Sequence, residues 1–121
     1  MTGRIWLAVA GLGGLASVSA GALAAHLASD PKTAELLHTG ALYGMVHTAA
    51  LLAIVALADR RAGIALSVAG WSFTAGIVLF SGSLFLLAES GAHWLGWVTP
   101  FGGLALMLGW IALASLALPR R

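Results

Sequence analysis

Residues 39–88 read TGALYGMVHTAALLAIVALA, then Asp59-Arg60-Arg61, then AGIALSVAGWSFTAGIVLFSGSLFLLA. The two runs, of 20 and 27 residues, hold no Asp, Glu, Lys or Arg. Each reaches the roughly 20 residues that an α-helix needs to cross a hydrocarbon core about 30 Å thick. A connection as short as Asp59-Arg60-Arg61 makes them a tight helical hairpin. The same pattern continues outward, in Ile5–Leu27 (23 residues) and Trp94–Leu118 (25 residues). A spanning β-barrel would alternate apolar and polar residues, and no such alternation is present. The sequence therefore predicts an all-α integral membrane protein. Residues 1–121 form a single four-helix membrane domain, with spans at about 5–27, 39–58, 62–88 and 94–118.

Composition excludes the main competing classes. Only ten of the 121 residues are Asp, Glu, Lys or Arg, and 60% are hydrophobic. A water-facing domain carries about a quarter charged residues. The pI near 10.0 reflects six basic against four acidic residues and no basic patch with interleaved aromatics, so nucleic acid is not an expected partner. The absence of cysteine excludes disulfides, thiolate metal sites and cysteine-ligated clusters.

Charge sets the expected orientation. Arg4, Arg60, Arg61, Arg120 and Arg121 fall on one side of a four-span chain, and Lys32 lies on the other with Asp30, Glu35 and Glu89. The positive-inside rule then puts both termini in the cytoplasm. The first run resembles a signal peptide in having Arg4 and the small residues Val18-Ser19-Ala20. It continues to Leu27, longer than an ordinary signal core, and is expected to be retained. Asp30-Pro31 reads as a cap followed by proline at the first helical position, so the second helix is expected to start at Pro31. Thr99-Pro100 has the same form, which leaves Trp94 and Trp97 in an interfacial segment.

Helices already in lipid associate largely through close packing of small residues. Gly13, Ser17, Gly21 and Ala25 form one such stripe on the first span, and Gly40, Gly44 and Thr48 another on the second. The third carries Gly63, Ser67, Gly70, Thr74 and Ser81, with Ile77 between, and the fourth carries Gly102, Ala105, Gly109 and Ala112.

Few residues inside the spans can carry chemistry. His26, Tyr43, His47, Ser81, Ser83 and Thr99 all fall in the half of the bilayer away from the arginines. They form a candidate polar pocket, with His47 facing the bundle interior, Ser81 as its expected partner and Tyr43 one turn above it. A Ser–His–Asp triad lacks its acid, and two histidines without a carboxylate are too few for zinc. Haem b held by His26 and His47 is an option, although the two stand one or two turns apart in depth; no other cofactor or metal is expected.

Gly21-Ala22-Leu23-Ala24-Ala25-His26-Leu27, Tyr43 with His47, Phe80-Ser81-Gly82-Ser83-Leu84, and Thr99-Pro100-Phe101-Gly102-Gly103 with Gly109-Trp110 occur in one order. In these elements the chain resembles the family called domain of unknown function 423, which contains bacterial inner-membrane and mitochondrial transmembrane members. The resemblance implies four spanning helices, an uncleaved first segment and no assigned activity. With no catalytic acid, cysteine or soluble domain, the leading expectation is a non-enzymatic accessory or binding subunit. Its pocket would take a lipid, a quinone or a partner membrane protein. The alternative is a small transporter or permeation protein assembled as a homo-oligomer, because four short spans enclose little lumen.

Overall fold

Lipid leaves the backbone to satisfy its own N–H and C=O groups, and the computed structural model, which describes residues 1–119, does so with helices. They are α1 (Thr2–His26), α2 (Pro31–Ala58), α3 (Ile64–Gly76), α4 (Gly82–Ser90) and α5 (Thr99–Ser115). A π-helical turn, Ile77–Ser81, joins α3 to α4 in one continuous span, and a 3₁₀ turn, His93–Trp97, leads into α5. Among the described residues four segments are long and apolar enough to cross a membrane: Thr2–His26, Pro31–Ala58, Ile64–Ser90 and His93–Ser115. Arg120 and Arg121, used in the orientation argument, lie outside the described residues.

Helix ends follow local chemistry. Asp30 caps α2 as its sequence predicts. Its carboxylate accepts from the Thr33 amide at 2.9 Å and the Thr33 hydroxyl at 2.8 Å, while Pro31 occupies the first turn. Those bonds, the backbone one foremost, hold the exposed Asp30 carboxyl below its ordinary pKa. Thr99 does not repeat the motif. Val98 before it is already helical, and the Thr99 hydroxyl turns back toward the Leu95 carbonyl and sideways toward Ser83. Gly91 ends α4 in the left-handed region, at φ +68°, where a side chain would be strained.

The spans pack in sequence order. α1 lies along α2, α2 along the third span, and the third span along α5. The α1–α2 seam is an antiparallel ladder of small residues: Gly13 faces Thr48, Ser17 faces Gly44 and Gly21 faces Ala41. Ala25, the expected next rung, is exposed. The expected face of α3 is only partly used. Gly63 and Ser67 are exposed, and Leu66, Ala69, Gly70 and Phe73 face inward, because the core is filled by large side chains set into glycine notches. Trp6 lies over Gly70, Phe73 over Gly109 and Phe85 over Gly40. Gly102 meets the backbone of Leu79 and Phe80, a close approach between the third span and α5.

Candidate functional site

His47 sits near the middle of α2 and is buried to 5% exposure. Its Nδ1 is 2.6 Å from the Tyr43 carbonyl oxygen, one turn back, and its Nε2 is 2.9 Å from the indole Nε1 of Trp110 on α5. Indole N–H is a donor only. Nε2 therefore accepts, and the proton of the ring sits on Nδ1, where it is donated to Tyr43. Both nitrogens are satisfied within the protein. The ring is enclosed by aromatic neighbours: Tyr43 stacks on it at 6.0 Å and 10°, and Phe73 and Trp110 stand tilted at 5.8 and 5.7 Å.

His47 thus faces the interior, but its partner is Trp110 rather than Ser81. Ser81 is buried and donates to the Gly40 carbonyl at 2.8 Å, joining the third span to α2. Gly40 lies seven residues from His47 on α2, about 10 Å nearer the Asp30 end. Ser83, also buried, stands 2.6 Å from the Thr99 hydroxyl and so joins the third span to α5. One proton bridges those two oxygens, and the other is placed to reach the Phe80 or Leu95 carbonyl. The two serines point to opposite sides of their helix, as their spacing requires. Both are nevertheless internal, because that helix has α2 on one side and α5 on the other.

The six candidates do not converge on one cavity. They form separate links at different depths, and two stand outside them. Tyr43 is 43% exposed and leans on Phe80 at 4.7 Å. His26, the last residue of α1, is exposed. Along the α1–α2 ladder its level corresponds to the first turns of α2, about 17 Å from His47. Two axial haem ligands must meet at one iron, so this pair does not fit haem b. Among the described residues no three of His, Cys, Asp or Glu stand together as a metal site. His38 and His93 are exposed.

Of the packing candidates, Gly13, Ser17 and Gly21 build the α1–α2 seam, and Gly70, Gly102 and Gly109 are the notches already described. Ser17 is buried, and its Oγ has no conventional partner among the described residues. It occupies the place that a Gly44 side chain would take, so the close approach of α1 to α2 there requires glycine. Sequence reasoning missed Trp110 as the partner of His47. The available signal was position: tryptophan favours the interface, and Trp110 lies eleven residues beyond Thr99, deep in its span.

The chain as a whole is similar to other chains. Residues 20–103 match the family described as Protein of unknown function (DUF423). The chain is 36% identical over 118 residues to the UPF0382 membrane protein YwdK of Bacillus subtilis, covering 94% of this chain and 96% of that one. It is 41% identical over 113 residues to a UPF0382 membrane protein of Haemophilus influenzae, with 90% of each chain covered. It is 37% identical over 113 residues to the UPF0382 inner membrane protein YgdD of Escherichia coli, covering 91% of this chain and 86% of that one. No solved structure matches. Four apolar spans and these relatives make it a multi-pass protein of the inner membrane. The order of motifs, the match over most of the chain and the near full-length relatives lead to one conclusion: the chain belongs to the DUF423 family of membrane proteins.

Proposed function

We propose that the chain is a non-enzymatic accessory subunit of the bacterial inner membrane, with both termini in the cytoplasm. It would act by presenting its outer helix faces to a partner membrane protein. The observation that carries this reading is the engagement of both His47 nitrogens, by Tyr43 and Trp110. A general base needs a free lone pair, and a proton carrier needs a nitrogen that can take up and release a proton. Here either role breaks the bond to Trp110. Ser81, Ser83 and Thr99 are likewise engaged in links between helices. Arg4, Arg60, Arg61, Arg120 and Arg121 on one side support the orientation.

Native mass spectrometry of the protein taken from its own membranes in gentle detergent tests this reading. The expected result is a stoichiometric complex with a second polypeptide. Protein that emerges without one, and drives solute flux in proteoliposomes that a His47→Gln variant abolishes, would replace the subunit reading with a transporter.

A further inference from the structure

We propose that the groove between α3 and α5 binds one anionic phospholipid from the leaflet on the arginine side. Its phosphate would lie at Arg61 and the start of α3, and an acyl chain would lie along Trp71. This rests on the groove and its charge, not on the subunit reading.

The mouth of the groove is a basin of about 260 Å³ between the start of α3 and the end of α5, walled by Arg61, Gly63, Ile64 and Leu116. One guanidinium nitrogen of Arg61 donates to the Leu116 carbonyl at 3.3 Å, which holds the side chain across the basin. A guanidinium has five N–H donors in a planar fork suited to phosphate, so further donors remain. Among the described residues no carboxylate pairs with Arg61. The start of α3 adds to the positive field. Gly63 occupies the cap position with no side chain to accept from the free amides, and the first turn holds no acidic residue.

From the basin a second groove of about 750 Å³ continues inward, sharing Gly63 and Ile64 with it. It runs between Ser67, Trp71 and Ala75 on α3 and Ala105 and Leu108 on α5. Gly63 to Ala75 is twelve residues, about 18 Å along the helix, against about 15 Å for half a hydrocarbon core. A chain starting at the basin therefore reaches the bilayer centre inside the groove. Ser67, one turn below the basin, is exposed to the groove and can donate to an ester carbonyl at the glycerol level. A cationic mouth, a hydroxyl one turn deeper and an apolar trough beyond follow the order of groups in a phospholipid. A free phosphate would use only the first of these.

The test is tryptophan quenching in nanodiscs by lipids brominated in mid-chain. The contribution of Trp71 is the difference between wild type and Trp71→Phe. At equal mole fraction, brominated phosphatidylglycerol is expected to quench Trp71 several-fold more than brominated phosphatidylcholine. Arg61→Gln should bring the two lipids level. Raised salt should also shrink the preference, which needs neither the Arg61 nor the Ser67 variant to fold. Ser67→Leu, which fills the groove from an exposed position, should lower quenching by both lipids. Equal quenching of wild type by the two lipids, or a preference indifferent to both salt and Arg61→Gln, overturns the proposal. So does loss of the preference on adding millimolar inorganic phosphate, which would make the site one for a free anion.

Discussion

Replacing Gly102 with alanine tests whether close backbone approach holds the second half of the bundle together. A Cβ at Gly102 would lie 2.7 Å from the Phe80 Cα and 2.8 Å from the Leu79 carbonyl carbon. Ordinary contact begins at 3.4 Å and the Phe80 amide nitrogen would lie nearer still, so the third span and α5 must part by about 1 Å. The opposing atoms are backbone, and no rotamer change can relieve them. The separation also loosens Leu106 over Gly76 and Phe73 against Gly109. Overpacking of this kind costs about 1–3 kcal/mol, and rigid opposing atoms put it toward the upper end. Alanine recovers up to about 1 kcal/mol of helix propensity, so a net loss of about 1–2 kcal/mol is expected. Gly82→Ala is the matched control, because its Cβ meets nothing within 4 Å. It should be neutral or slightly stabilising. Unfolding in mixed detergent micelles, followed by tryptophan fluorescence, gives both values. If Gly102→Ala is as stable as Gly82→Ala, the tight crossing does not contribute and the packing argument fails.

Three further outcomes are expected. A double-mutant cycle of His47→Leu and Trp110→Phe should return a coupling of about 0.6 kcal/mol, and at most about 1.7, the mean and maximum for hydrogen bonds between membrane helices; no coupling would mean the bond adds nothing to stability. Asp30→Ala should speed amide exchange in the first turn of α2. Because the folded state lowers the Asp30 pKa, the stabilisation is full above the ordinary carboxylate range and fades as pH falls through the depressed value, so acid should mimic the variant; exchange rates unchanged by either would count against the cap. Reporter fusions at both ends should be active only for a cytoplasmic reporter, and a periplasmic signal at the C-terminus would overturn the proposed orientation.

The four spans were legible because lipid imposes a length and a composition on each crossing, and a run such as Thr39–Ala58 admits no other reading. The start of α2 was legible too, since Asp30-Pro31 acts through bonds within one turn. The start of α5 was legible to within a residue, but its cap was not. Thr99 has the same local pattern, but its hydroxyl is drawn to Ser83 on another helix, and no local rule weighs that competition. The same limit applies to the small-residue faces. Gly13, Ser17 and Gly21 could be read as one stripe, but the occupant of a notch comes from a distant span, as Trp6 does over Gly70. For His47 the depth was legible and the partner was not. A tryptophan far from either interface needs a partner as much as a hydroxyl does, and the Trp110 indole N–H finds it in His47.

The distribution of these bonds bears on why polar residues stand in the spans at all. Apolar packing discriminates weakly among helices in lipid, because a leucine face fits a lipid tail as well as another leucine face. A donor-only indole and an imidazole acceptor discriminate by direction, and each removes an unsatisfied group from the other. His47–Trp110 ties α2 to α5, Ser81–Gly40 ties the third span to α2, and Ser83–Thr99 ties it to α5. Together they close a triangle of three spans. Among the described residues α1 makes no conventional side-chain hydrogen bond to any of them. It rests on the Gly13–Ser17–Gly21 ladder and on Trp6, whose Nε1 is buried without a partner. Breaking one side of the triangle leaves a polar group facing apolar neighbours, whereas lifting α1 from α2 breaks no hydrogen bond of this kind. The bundle is thus three directionally fixed spans with a fourth held by shape, and α1 is the helix whose displacement meets the least polar resistance.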